Sequence, residues 1–83
     1  MNWQILENRL RKIFKFKDFN QALSFINQVG EIAEKLNHHP KITNVYNLVE
    51  LELWTHTKND VTKLDHELAE EIDKIKKLHY TQI

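Results

Sequence analysis

From Arg9 to Phe16 the chain alternates. Leu10, Phe14 and Phe16 fall on one face, Arg9, Arg11 and Lys15 on the other, with Ile13 the exception. Period two marks a strand with one buried face. The short apolar-leaning run Trp3-Gln4-Ile5-Leu6 precedes it, closed by Glu7-Asn8, where Asn tolerates turn conformations. The two segments predict a β-hairpin.

The period then changes. Phe19, Ala22, Leu23, Ile26, Val29, Ala33 and Leu36 recur at three- and four-residue intervals, one wide apolar stripe of a helix. Asp18 followed by Gln21 resembles a capping box at its start. Asn37 is a terminator, and Pro40 enforces the stop. Gly30 lies inside this helix at a cost of about 1 kcal/mol against alanine, which suggests that a strand approaches closely there.

Beyond Pro40, Ile42 to Tyr46 predicts a short strand and Asn47 its turn. Leu48 to Thr55 alternates again, with Val49, Leu51 and Leu53 inward and Glu50 and Glu52 outward. Lys58-Asn59-Asp60 is loop. Thr62 caps a second helix with Asp65 at its third position. Leu64, Leu68, Ile72 and Ile75 form its apolar stripe, and Glu67, Glu70, Glu71, Lys74 and Lys76 its solvated side. The order β-β-α-β-β-α predicts an α+β fold, a two-layer arrangement of a four-stranded antiparallel sheet with both helices on one face.

A chain of 83 residues is expected to form a single domain, 1–83. Twelve basic and twelve acidic side chains cancel, which argues against a direct nucleic-acid partner or an anionic membrane. The absence of cysteine excludes disulfides, thiol nucleophiles and cysteine-ligated metal. With no spanning apolar run and no signal-peptide pattern, the expected location is the cytoplasm.

Chemistry concentrates between Glu34 and Asp65. His38 and His39 lie just past the first helix, and His56 lies at the exit of the last strand. Imidazole, with an unperturbed pKa of about 6.5, exchanges protons near neutrality. The three admit acid–base work, zinc ligation or ordinary polar positions. Zinc is the weakest, because adjacent His side chains diverge and no further close ligand completes a set.

Their neighbours are equally open. Glu34, four residues before His38, either holds an imidazole tautomer or is a solvated helix charge. Asp65 suits the positive end of the second helix by about 0.3–1 kcal/mol, and is placed to steady His56 across the loop. Thr55 offers a hydroxyl to a heterocycle or is a plain strand threonine. Tyr46 reads as a core aromatic. Trp54 points away from Leu53 and Thr55, to solvent or a subunit contact. His66 and His79 read as surface residues of the last helix.

Glu34, three residues, His38-His39-Pro40, five residues, Tyr46, nine residues, His56, eight residues, Asp65: this spacing resembles the signature of the pterin-4a-carbinolamine dehydratase family. Phe16-Lys17-Asp18-Phe19, Asn44-Val45-Tyr46-Asn47 and Thr55-His56 agree with it, and the likeness runs from Trp3 to about Ile75. The resemblance implies dehydration of 4a-hydroxytetrahydrobiopterin to quinonoid dihydropterin, in tetrahydrobiopterin recycling, without cofactor or metal. It implies catalytic roles for His38, His56 and Glu34, and pterin contacts for His39, Pro40, Thr55, Asp65 and Asn37. It also implies a homodimer or homotetramer. The alternative within the same fold is a non-catalytic protein-interaction or transcriptional-coactivator module. Two departures stand out. Lys41-Ile42 replaces a common acidic-Trp pair, and Asn59-Asp60-Val61 replaces a Gly-Gly-Leu loop, so any left-handed residue there must be Asn or Asp.

Overall fold

The computed structural model describes residues 3–75 and 80–82. Its elements are β1 (Gln4–Leu6), β2 (Arg9–Phe16), α1 (Phe19–Leu36), β3 (Lys41–Val45), β4 (Leu48–Leu53), α2 (Lys63–Asp73) and β5 (Tyr80–Gln82). The expected α+β class and β-β-α-β-β-α order hold, with β5 as an addition.

Among the described residues every strand pairing is antiparallel, in the order β1-β2-β4-β3, and β2 is the axis of the sheet. One edge of β2 is shared. Its first half pairs with β1 through Leu6↔Arg9 to Gln4↔Arg11, and its second half with β5 through Phe16↔Tyr80 to Phe14↔Gln82. Glu7 and Asn8, both at positive φ, make the two-residue turn that matches strand twist.

The core follows from the alternation. Leu10, Phe14 and Phe16 of β2 and Val49, Leu51 and Leu53 of β4 face Ala22, Phe25 and Val29 of α1 and Leu68, Ala69 and Ile72 of α2. Phe25 is its hub, with ring centres 4.7 Å from Phe14 and 4.9 Å from Phe16. The predicted helical stripe omitted Phe25 and included Phe19 and Leu23, both exposed. The stripe is therefore rotated slightly from the one read in sequence.

Lys12 shares the core face with Phe14, as strict alternation demands, and is 7% exposed. Its ammonium bonds Asp73 Oδ1 at 2.8 Å, and the Trp3 indole N–H donates to the same carboxylate at 3.1 Å. A buried cation survives only when paired, and this pair also ties the N-terminal strand region to the end of α2.

Four expectations are corrected. Gly30 does not mark a close approach, since a Cβ there would meet nothing within 4 Å. Tyr46 is not core: it lies in the β3–β4 turn at φ 51° and is 63% exposed. Strand β4 ends at Leu53, and Thr55 instead forms an isolated bridge with Asp60. Helix α2 ends at Asp73, so Ile75 is buried beyond it, while Lys76 and His79 lie outside the described residues. No helix among the described residues is long and apolar enough to cross a membrane.

Candidate functional site

Helix α1 ends in a way that fixes the backbone of His38. Asn37 adopts the left-handed conformation, φ 51° and ψ 43°. The Asn37 N–H donates to the Glu34 carbonyl at 3.3 Å, and the His38 N–H to the Ala33 carbonyl at 3.1 Å. These two crossed bonds are the Schellman arrangement, in which Asn is the usual substitute for Gly. They anchor His38 to a helix turn whose Ala33 is buried in the fold.

The second component comes from α2. Thr62 accepts from the Leu64 N–H, and Asp65 Oδ2 accepts from the Thr62 N–H at 2.8 Å, so the expected capping box is present. The same Asp65 oxygen accepts the Thr55 hydroxyl at 2.9 Å, and the Thr55 and Thr62 hydroxyls are 2.6 Å apart. Asp65 Oδ1 meets His38 Nε2 at 2.5 Å. With the Asp65 side chain sealed from solvent and that of His38 only 11% exposed, one buried carboxyl joins the end of α1, the exit of β4 and the start of α2.

The third component is the exit of β4. The Thr55 N–H donates to the Asp60 carbonyl at 2.9 Å, the Lys58 N–H to the Thr55 carbonyl and the Asn59 N–H to the His56 carbonyl. Asn59 is the left-handed residue of this loop, at φ 50°, a conformation that Asn tolerates better than most side chains. His56 is held out from this tight loop, exposed, with its ring stacked on Trp54.

Asn37, His38, His39, Trp54, Thr55, His56 and Thr57 together line one open hollow of about 280 Å³. All three imidazoles singled out in the sequence border it. Glu34, Pro40 and Asp65 do not. Glu34 bonds His39 Nε2 at 2.5 Å rather than His38, and both side chains are exposed, Glu34 at 78%. Asp65 bonds His38 rather than His56. Trp54 and Thr57 were missed. The spacing that puts Trp54 two residues before His56, on the same side of an extended strand, was the available signal for Trp54. Among the described residues, no three His, Asp or Glu side chains converge as a metal-holding set.

A family model described as pterin 4 alpha carbinolamine dehydratase matches residues 1–75. The chain is 44% identical over 73 residues to a Sulfolobus acidocaldarius protein provisionally named a pterin-4-alpha-carbinolamine dehydratase, covering 88% of this chain and 80% of that one. A Synechococcus protein with the same provisional name is 42% identical over 74 residues, 89% and 80% of the two chains. Among solved structures, a transcriptional coactivator/pterin dehydratase from Brucella melitensis superposes with a TM-score of 0.82 at 42% identity, over 86% of this chain and 78% of that one. A pterin dehydratase-like RuBisCO assembly factor of the α-carboxysome gives 0.75 at 21% identity, over 95% and 94%, a likeness of fold alone.

Proposed function

The chain belongs to the pterin-4-alpha-carbinolamine dehydratase family, and from that premise we propose that it dehydrates a 4a-hydroxytetrahydropterin to the quinonoid dihydropterin. The observation that carries this is the meeting of His38, His39 and His56 around one hollow of about 280 Å³. The reaction breaks the C4a–oxygen bond. An imidazolium protonates the departing hydroxyl, which leaves as water, and a neutral imidazole takes a proton from a ring nitrogen. The two rings end with one proton lost and one gained, and exchange resets them.

His38 suits the accepting role. A carboxylate can only accept, so the Asp65 bond keeps a hydrogen on His38 Nε2 and leaves the Nδ1 lone pair for the substrate proton. His56, exposed on the hollow's other wall, then delivers the proton to the hydroxyl. His39 orients the pterin, with Glu34 holding its ring. Asn37 and Thr55 give further polar contacts at the rim. Such proton transfer contributes roughly 10²–10⁴-fold.

Stopped-flow measurement with freshly generated carbinolamine, corrected for spontaneous dehydration, tests this. His38→Ala and His56→Ala are each expected to slow dehydration roughly 10²–10⁴-fold while circular dichroism stays native. Near-normal turnover in either variant removes that residue from the mechanism.

A second reading draws on the Brucella relative, described as both coactivator and dehydratase: a protein-interaction module on the same fold. Wild-type protein that binds pterin but does not accelerate dehydration favours it. Self-association as a homodimer or homotetramer belongs to either reading, and β3 forms a sheet edge open to pairing.

A further inference from the structure

The register that pairs Leu10 with Leu53 carries Arg9 opposite Trp54, one position past the end of β4. There the Arg9 guanidinium carbon lies 4.1 Å from the centre of the Trp54 ring. The same indole stacks on the His56 imidazole, with ring centres 4.6 Å apart and planes inclined by 26°. Trp54 is half-buried and His56 exposed, and both line the hollow. Among the described residues, no hydrogen bond or ion pair fixes the His56 ring.

An exposed histidine ordinarily samples several staggered side-chain conformers. A proton donor is effective only within about 2.6–3.2 Å of the atom it serves, and a displacement of about 1 Å costs on the order of 10²-fold in rate. His38 meets that demand through Asp65. Among the described residues, His56 has the indole stack in place of such a bond. We propose that Trp54 is a positioning residue for His56, a flat support that restricts the imidazole to conformers directed at the hollow, with Arg9 holding the indole in turn. This rests on His56 as a proton-transfer group. The planar guanidinium matters for the second contact, since an ammonium cannot lie flat on a ring.

Two measurements test it. In proton NMR without substrate, the His56 ring resonances of the wild type are displaced upfield by the indole ring current, and Trp54→Leu returns them to ordinary imidazole positions. In stopped-flow assays, Trp54→Leu lowers kcat roughly 10- to 100-fold with KM little changed, and Trp54→Phe, which keeps a ring, restores most of the rate. Arg9→Leu, which keeps the indole but removes its support, gives a smaller kcat loss and a partial return of the His56 resonances. A raised KM at unchanged kcat in Trp54→Leu overturns the proposal, because the indole then serves the ligand directly. So do His56 resonances that are the same with and without Trp54. Wild-type protein that fails to accelerate dehydration overturns the functional reading instead, while the NMR displacement still decides the stack.

Discussion

His38 and His56 border one hollow, yet His38 is nearly buried and bonded to a carboxyl shared by three elements, whereas His56 stands in solvent against a stacked indole. The first arrangement is directional and continuous with the fold. Asp65 satisfies the Thr62 N–H at the start of α2, the Thr55 hydroxyl after β4 and the His38 ring after α1. Disturbing it is expected to lower stability as well as activity, without unfolding the chain. The second is local: a ring stack on Trp54 and, beyond it, the Arg9 guanidinium. A single site thus holds one histidine by polar bonds that stability depends on and another by contact that stability hardly registers.

Asp65→Ala breaks the comparison most severely. It leaves the Thr62 N–H, the Thr55 hydroxyl and the His38 ring without their buried acceptor, at an expected cost of about 3 kcal/mol in urea denaturation. His56→Ala at the exposed end should change stability by less than about 0.5 kcal/mol, although both variants lose activity. Asn37→Ala comes next. A left-handed alanine is expected to cost about 1 kcal/mol, and Asn37→Gly nothing or less, read as shifts of the denaturation midpoint. Gly30→Ala runs the other way. With nothing within 4 Å of the added methyl, it should stabilise the helix that carries His38 by about 0.5–1 kcal/mol and leave dehydration unchanged. Glu34→Gln is the smallest. Its bond to His39 is exposed, so stability should move by less than about 0.5 kcal/mol.

Strands β2 and β4 were legible because each buries one face, and the period-two pattern of Leu10, Phe14 and Phe16 or Val49, Leu51 and Leu53 states that outright. Asp18, Asn37 and Thr62 marked helix ends because each side chain or backbone answers a local need. What was not legible depended on partners distant in sequence. Lys12 sits in the core because Asp73, far along the chain, meets it there. The β5 strand pairs with the half of the β2 edge that β1 leaves uncovered, a partnership between opposite ends of the chain. In the site, Asn37, His38, His39, Thr55 and His56 border one hollow, whereas Glu34, Pro40 and Asp65 do not. Helix spacing assigned Glu34 to His38, but the left-handed turn at Asn37 brings His39 to it instead. Tyr46 read as core because its spacing cannot reveal that Asn44 and Asn47 make the turn around it, bonding the carbonyls of Tyr46 and Leu48 and of Phe16.

The most direct test follows imidazole proton resonances while the protein is titrated with a stable dihydropterin. Signals of His38, His39 and His56 are expected to move together along one saturation curve, with His66, exposed on α2, as the unmoving control. Pterin binding that shifts His38 and His39 but leaves His56 in place would contradict the account.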